Sequence, residues 1–329
     1  MISDRAMAAL EAVMPPGTPI KDAGQRDRDV LVSVAGRTLR LRWLSVGWPR
    51  QVAEALRQEP RPDVVAAPRL SPGARELARR EQVGWVDEAG AAEICADNLL
   101  ISRTGEIAEA PNAIPGWRPA TLAVCEVLLT GCPATVSAVA DHTGLAVSTV
   151  AGSLKFLDRE GLLGADAPRG PLSRRYLTDH DALLDAYAAA SERLRPHTAL
   201  RVGVQWRDPV EGAIEAGRLW QRAGIRWAVT SALSAAVLAP VLTEVSPMEI
   251  YVAGRTPGDL RRTASSAGLR EMDGGRLILR PFPTPASGTV TTQLRPGLMS
   301  LLWPRVYADL RTSGVRGEDA AEHLREEMT

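Results

Sequence analysis

The sequence predicts an α/β protein with several domains, and three observations support this fold class. The chain has 329 residues, which exceeds the size of a typical single domain. Hydrophobic residues make up 45% of it and charged residues 24%, as is typical of a folded protein with a sizeable core. Segments with strand-like alternation and with helical periodicity follow one another at both ends, whereas the middle is mainly helical. These patterns divide the chain into three predicted regions, 1–110, 111–196 and 197–329.

Composition narrows the class of protein. No apolar run approaches the roughly 20 residues of a membrane-spanning helix, and the first residues lack the basic start and apolar core of a secretory signal. The three cysteines, Cys95, Cys125 and Cys132, show neither a paired framework nor CxxC metal spacing. We therefore expect free thiols in a reducing cytoplasm and no membrane partner. The net charge is zero, so any contact with nucleic acid must come from a local excess of positive charge.

The first region is predicted to be a small α/β domain. A short helix over 3–14 precedes two alternating strands, which flank Gly36-Arg37 in the pattern of a β-hairpin. Ser71 and Pro72 are typical of the N-cap and the first position of a helix. After the first helix, the predicted order is strands 29–35 and 38–43, helix 49–57, strand 63–67, helix 71–81, and strands 83–86, 92–95 and 99–102.

This order of elements resembles the restriction-endonuclease-like core. Such nucleases place an aspartate on one strand and Glu-x-Lys on the next, because two carboxylates hold a divalent metal while a lysine steadies the attacking water. Asp63 and the pair Asp87-Glu88 are the candidate carboxylates, but no lysine occurs between Lys21 and Lys155. We therefore predict a degenerate domain without catalytic residues or a metal, in which 87–90 form a turn. Metal-dependent cleavage by these acids is the alternative.

The middle region contains the clearest functional pattern. A proline-containing linker over 106–119 leads to a helix over 121–130. Then follow a short helix 136–142, a tight turn 143–145 with Gly144 where a positive φ is needed, a second helix 147–160, and a hairpin that returns at 172–177. Apolar residues at helical spacing would pack both helices onto one core: Val136, Val139, Ala140, Leu145, Val150, Leu154, Leu157, Leu162 and Leu163. This pattern is typical of a winged helix-turn-helix, whose second helix usually enters a DNA major groove.

The predicted DNA contacts lie on the second helix and in the hairpin. Small, hydroxyl or basic side chains occupy the predicted outer face of the helix: Ser148, Thr149, Gly152, Ser153, Lys155 and Arg159. Small hydroxyl residues can approach base edges or phosphates closely, and lysine suits a phosphate. Between Pro168 and Tyr176 there is no acid, and the arginines there are Arg169, Arg174 and Arg175. Because Asn, Gln and an early Arg are missing from the helix face, we expect more phosphate contact than base readout.

The rest of the chain is predicted to be a helix over 179–194 and a second α/β domain. A helix that directly follows a winged helix favours packing against a second copy, so a homodimer is a candidate assembly. The domain shows no GxxxxGK loop, no GxSxG elbow, no metal-spaced histidines and no paired aspartates after a Gly-Ser, so we predict neither enzymatic activity nor a cofactor. Its predicted elements are strand 200–206, helix 209–223, a buried helix 226–239, strand 248–253, helix 256–267, strands 275–280 and 289–294, and helices 303–311 and 316–328.

Several stretches are similar to the AbiEi-type antitoxin family: 61–94, the helix-turn-helix, 226–240 (RWAVTSALSAAVLAP) and 305–328. The resemblance implies a transcriptional regulator that represses its own promoter through the winged helix. It also implies a nucleotidyltransferase toxin as a partner, and a C-terminal α/β domain that serves neutralisation of the toxin or regulation. The additional N-terminal domain departs from a minimal antitoxin, so a stand-alone regulator is the other interpretation. Both interpretations make DNA the first expected partner.

Overall fold

The computed structural model describes residues 2–15, 18–26, 28–34, 36–96, 99–104, 116–165, 175–240, 245–284 and 286–329. The chain divides into two compact units. The first contains Met1–Pro111 and Gly314–Glu318, and the second contains Asn112–Ser313 and Asp319–Thr329. The described residues form two seven-stranded mixed sheets, a two-stranded ribbon and surrounding helices, so the protein is of the mixed α/β class. The predicted middle and last regions belong to the same compact unit.

The first unit is built on a seven-stranded sheet whose strands lie in chain order. Strand pairs β3–β4 and β4–β5 are parallel and the other neighbours are antiparallel. One face of the sheet packs against α1 and the other against α2 and α3. The elements are α1 (Ile2–Val13), β1 (Ile20–Arg26), β2 (Asp29–Val34), β3 (Arg37–Trp43), α2 (Pro49–Arg57), β4 (Val64–Ala67), α3 (Pro72–Arg80), β5 (Gly84–Asp87), β6 (Ala91–Ala96) and β7 (Leu99–Thr104).

Most predicted elements of this unit are present, and one strand was missed. Ser71 caps α3 as predicted, because its hydroxyl accepts a hydrogen bond from the Ala74 amide at 3.2 Å. The missed strand is β1, the edge strand, in which every residue after Ile20 is exposed. A strand without a buried face has no apolar alternation in its sequence, so periodicity cannot indicate it.

The second unit combines a helical module, residues 116–177, with a second sheet. The strand order of this sheet is β13-β10-β14-β12-β11-β16-β15. The elements of the unit are α4 (Pro119–Leu129), α5 (Val136–Thr143), α6 (Val147–Arg159), β8 (Leu163–Ala165), β9 (Arg175–Leu177), α7 (His180–Arg193), β10 (Leu200–Gly203), α8 (Pro209–Arg222), β11 (Trp227–Thr230), α9 (Ser231–Leu238), β12 (Met248–Val252), α10 (Pro257–Ser266), β13 (Arg270–Glu271), β14 (Leu277–Pro281), a 3-10 turn (Ala286–Gly288), β15 (Thr291–Arg295), β16 (Leu298–Leu301) and α11 (Trp303–Arg311). The last helix, α12 (Gly314–Met328), begins in the first unit with Gly314–Glu318 and continues in the second.

The prediction of one buried helix over 226–239 was wrong. The first part is strand β11, which lies between β12 and β16 and is buried along its whole length. Only the second part is a helix, α9, and the chain turns between the two at Ser231, whose φ is +50°. A run of small apolar residues indicates burial equally well for a central strand and for a core helix, so the sequence pattern does not separate them.

A buried group of charged and polar side chains joins α4 of the helical module to α7 and α11. Glu126 on α4 accepts hydrogen bonds at its Oε1 from Nε and Nη2 of Arg305 on α11, at 3.0 and 2.9 Å. The Tyr187 hydroxyl on α7 donates to the same oxygen at 2.7 Å. All three side chains are buried. Burial raises the pKa of Tyr187 well above its ordinary value, which keeps the phenol protonated as the donor.

Helix α7 is covered inside the chain. Its buried residues include Leu183, Leu184, Tyr187 and Ala188, and it packs against α11 and α4. The helix on which the predicted homodimer was based thus packs within the chain through its buried residues, and the homodimer stays a prediction. Crossing a bilayer takes a long apolar helix of roughly 20 residues, and the described part of the chain contains none.

Candidate nucleic-acid interface

Helix α4 forms the inner wall of the helical module. Every residue from Thr121 to Leu129 is buried, and the helix contacts α5, α6 and α7. Just before it, the ring of Trp117 meets that of Phe156 on α6 edge to face, with centroids 5.4 Å apart. The next two helices therefore pack on a rigid apolar support.

Helix α5 begins and ends where the sequence predicts. Thr135 is its N-cap, since its hydroxyl accepts from the Ala138 amide at 3.3 Å. The helix stops at Gly144, whose φ is +67°, in the left-handed region that the tight turn requires. The Thr143 hydroxyl donates to the Val139 carbonyl at 2.6 Å, and it accepts from the Leu145 amide at 3.3 Å. These bonds fix the direction in which α6 leaves the turn.

Helix α6 has one buried and one exposed face. The buried stripe consists of Val150, Ser153, Leu154, Phe156 and Leu157. The exposed face contains five of the six residues that were predicted to contact DNA on this helix: Ser148, Thr149, Gly152, Lys155 and Arg159. Since these positions are separated mainly by three or four residues, they form one continuous strip of helix surface. The structure thus brings them together and leaves them accessible.

Ser153 does not belong to this strip, which corrects the prediction. Its side chain is 5% exposed, and its Oγ lies 3.2 Å from the Thr121 Oγ1 on α4. Thr121 in turn donates to the Gly116 carbonyl at 3.1 Å. The reason is geometric, because Val150, Ser153, Leu154 and Leu157 have the spacing of a single helix face. A hydroxyl at the second of these positions was taken for a surface residue, although the helical period places it in the core.

The hairpin is described only in part. Strands β8 and β9 pair with Gly164 opposite Tyr176, and Arg175 also makes a bridge to Ala134, just before α5. Arg175 is half-buried. Arg169 and Arg174 lie outside the described residues, so the predicted basic hairpin is placed at Arg175 alone.

Two exposed apolar side chains, one at the start of α6 and one on β9, were missed by the sequence reasoning. Val147, at the start of α6, is 63% exposed, and Tyr176 on β9 is 50% exposed. The Tyr176 ring covers Gly164, where a Cβ atom would lie only 2.6 Å from it. Val147 continues the buried stripe by one turn, so periodicity predicts burial, but the helix begins beyond the edge of the core. The sequence pattern does not give the exposure of such residues, and the folded structure is needed to find them.

The strip attracts anions at the N-terminal end of α6, whereas positive and negative side chains are both present at its C-terminal end. No side chain caps the N-terminus of α6, and the first turn contains no acid. A free helix N-terminus attracts phosphate through its backbone amides and dipole. Lys155 and Arg159 add positive charge, whereas Asp158 and Glu160 beside them are also exposed.

The acids proposed for a metal-dependent nuclease have other partners. Asp87 is fully buried, and its carboxylate accepts from the Ala91 amide and from Arg75 Nη2, both at 3.0 Å. Glu88 pairs with Arg5 through two bonds of 2.7 and 2.8 Å. Asp63 accepts from the Arg40 amide at 2.7 Å. Over the described residues no group of three or more His, Cys, Asp or Glu side chains is arranged to hold a metal ion.

The two glycines of the motif give a matched prediction about stability. At Gly144 an added Cβ meets nothing within 4 Å, but φ is +67°, so Gly144→Ala is expected to destabilise the second unit by about 1 kcal/mol. At Gly152 the surroundings are equally open and the backbone is helical, so Gly152→Ala is expected to stabilise it by about 0.5–1 kcal/mol. Urea unfolding followed by circular dichroism measures both. Equal effects of the same sign would show that the turn at 144 is not built as described.

Comparison with known proteins gives no further assignment. No protein-family model, curated protein or solved structure matches this chain.

Proposed function

We propose that residues 116–177 form a winged helix-turn-helix and that the protein is a DNA-binding transcriptional regulator without enzymatic activity. The observation that carries the proposal is the exposed strip of α6, which the core holds from behind through α4 and α5. The order α4, bridge at Ala134, α5, α6, β8, β9 is the order of elements in a winged helix. In such modules the second helix of the motif enters the major groove.

The chemistry of the strip supports a contact with duplex DNA. Ser148, Thr149 and Gly152 are small, so the helix backbone can approach the base edges closely. The open N-terminus of α6 and the side chains of Lys155 and Arg159 suit phosphates. Val147 offers an apolar contact of the kind that thymine methyl groups accept. The strip is therefore better suited to contacts with DNA phosphates, with base readout limited to the first turn of α6, than to bidentate recognition of bases.

The test is DNA affinity of charge variants on duplex DNA from the region upstream of the protein's own gene. We expect Lys155→Ala/Arg159→Ala to weaken binding by about tenfold or more, because two phosphate contacts are lost. The slope of log affinity against log salt should fall by about 0.9 per contact. Arg218→Ala/Arg222→Ala on α8 is the matched control, since it removes two exposed arginines from another surface of the same unit. Equal binding by both double variants would contradict the proposal.

Readout by the first turn of α6 is tested separately. Ser148→Ala/Thr149→Ala should reduce the preference for the upstream sequence over random DNA while changing the affinity for random DNA little. A uniform loss on both DNAs would instead assign these hydroxyls to phosphate contacts.

The resemblance to AbiEi-type antitoxins adds a proposed partner, a nucleotidyltransferase toxin. It is tested by co-purification of the full chain with the product of the adjacent gene. A neighbour without a nucleotidyltransferase signature would leave a stand-alone regulator as the better interpretation.

A further inference from the structure

The second unit contains a cavity of about 420 Å³ at one edge of its sheet. It lies where the parallel strands β12 and β14 end and where β11, the antiparallel neighbour of β12, begins. The chain leaves β12 through α10 toward β13 and leaves β14 toward β15, at the opposite side of the sheet. In α/β sheets, ligands bind beyond the carboxyl ends of strands at points where the connections diverge in this way. The volume is within the range of sites for small organic ligands.

The lining of this cavity is positive and apolar. It includes Arg226, Arg255, Phe282, Pro283 and Pro119, and none of the described residues that line it has a carboxylate side chain. Both arginines are exposed, and neither guanidinium pairs with an acid in the described part of the chain. The Phe282 ring is held in place because it stacks on the buried Tyr251, with centroids 6.1 Å apart and planes inclined by 20°. Two unpaired guanidinium groups beside a fixed aromatic ring suit an anion with a flat apolar body.

A glycine keeps the charged and the aromatic part of the lining close together. A Cβ atom at Gly288 would lie 3.3 Å from Arg226 Nη1 and 3.3 Å from the Phe282 ring. The guanidinium and the ring therefore flank the same point of the wall. A ligand seated there would meet the Arg226 guanidinium and the Phe282 ring at once.

From these features we infer that the cavity is a binding site for a small organic anion. Its phosphate or carboxylate head contacts Arg226 and Arg255, and its planar body lies against Phe282 and Pro283. A nucleoside monophosphate and an aromatic carboxylate share this chemistry, and they differ in the geometry and charge of the head.

The site adjoins the support of the candidate DNA-binding helix. Pro119, the first residue of α4, lines the cavity, and the 3-10 turn that ends at Gly288 packs against α4. Helix α4 contacts α6 through the Thr121–Ser153 pair. A ligand that shifts the start of α4 therefore acts on the position of α6. This coupling rests on the proposed DNA-binding function, whereas binding of the anion does not.

Calorimetric titration of the full chain with AMP, salicylate, inorganic phosphate and adenosine tests the site. We expect AMP or salicylate to bind, with inorganic phosphate weaker and adenosine weakest. Arg226→Gln/Arg255→Gln should weaken the bound anion by at least about tenfold. Phe282→Ala should weaken the organic anion but not inorganic phosphate. Arg218→Gln/Arg222→Gln on α8 is the matched control and should bind as the wild type does. Preference for AMP over salicylate, or the reverse, identifies the head group.

Two results overturn the inference: no binding of any anion up to roughly 10 mM, or equal binding by wild type and Arg226→Gln/Arg255→Gln. The coupling is measured as DNA affinity with and without the anion that binds. A change in wild type that is absent in Arg226→Gln/Arg255→Gln supports it, and an unchanged affinity refutes the coupling while leaving the site. If the protein binds no DNA at all, the titration still decides the anion site, so the two proposals fail separately.

Discussion

Replacing Arg305 by methionine is expected to lower the free energy of unfolding of the second unit by about 3–5 kcal/mol, because it leaves a buried carboxylate without its counter-charge. The Arg305 guanidinium is 1% exposed and donates two hydrogen bonds to Glu126 Oε1. Burial disfavours its charged form, but Tyr187, Glu126 and Asp309 around it raise its pKa above the ordinary value. Guanidinium-induced unfolding of the full chain, followed by circular dichroism and tryptophan fluorescence, measures the loss.

The control for Arg305→Met is Arg261→Met. Arg261 pairs with Glu271 at 2.7 Å, but their side chains are 57% and 49% exposed, so the pair is screened by water and its loss should be within error. Glu126→Leu/Tyr187→Phe/Arg305→Met tests the cause, because it replaces all three polar partners by apolar groups. We expect it to be more stable than Arg305→Met alone, though below wild type, since Arg305 also compensates Asp309. A single variant as stable as wild type would show that the pair is not buried as described.

In the first unit, Asp29→Asn is expected to lower the free energy of unfolding by about 3–5 kcal/mol at neutral pH, because it leaves the guanidinium groups of two arginines without their counter-charge. Asp29 is buried, and its two oxygens accept from Arg42 Nε and Nη2 at 2.6 and 2.8 Å, while Arg40 Nη1 donates at 3.1 Å. Arg42 also donates to the carbonyls of Ala55 and Pro60, at 2.6 and 2.9 Å. The group therefore joins β2 and β3 to α2 and to the segment that follows α2.

The effect of Asp29→Asn should depend on pH. Burial alone would raise the pKa of Asp29, but the hydrogen bonds and charges of Arg42 and Arg40 outweigh it and lower the pKa. A carboxylate whose pKa is lowered by folding stabilises the protein above its unfolded value of about 3.9 and loses that contribution as the pH falls further. The difference between wild type and Asp29→Asn should therefore be largest near neutral pH and shrink toward pH 3.

Unfolding of the first unit in urea at neutral pH and near pH 3 gives this difference directly. The control is Glu76→Gln on α3, whose partner Arg79 is equally exposed, and it should change stability little at either pH. A difference that grows as the pH falls would contradict the description of the Asp29 site.

The elements that the sequence predicted best are helices with a recognisable capping residue at one end. Ser71, Thr135 and Asp179 each cap a helix with a side-chain oxygen, and Gly144 has the positive φ that ends α5. These are local effects, which a few neighbouring residues determine. The exposed residues of α6 were likewise predictable, because the helical periodicity of the apolar residues shows which positions face away from the core.

What was missed depends on distant contacts. Ser153 was assigned to the surface because of its hydroxyl, although the helical period alone places it in the core. Its partner Thr121, 32 residues away, is the part that the neighbouring residues do not indicate. Glu126 and Arg305 are 179 residues apart, and Glu126 is the one charged residue of the apolar helix α4. A lone charge in such a helix is a signal that a buried partner exists, but it does not say where. The cavity lined by Arg226, Arg255 and Phe282 was missed for the same reason, since these residues meet only when the second sheet forms.

Glu126 also limits how the helical module can change in evolution. Helix α4 serves the helical module on one side and receives Arg305 and Tyr187 on the other. A fragment cut after the ribbon would present this acid and an apolar back surface to water. The helical module is therefore not an exchangeable cassette. It can be inherited, transplanted or truncated only together with α11, which supplies the arginine, so a new surface chemistry on this module must arise by substitutions on the exposed strip of α6 and not by swapping the module.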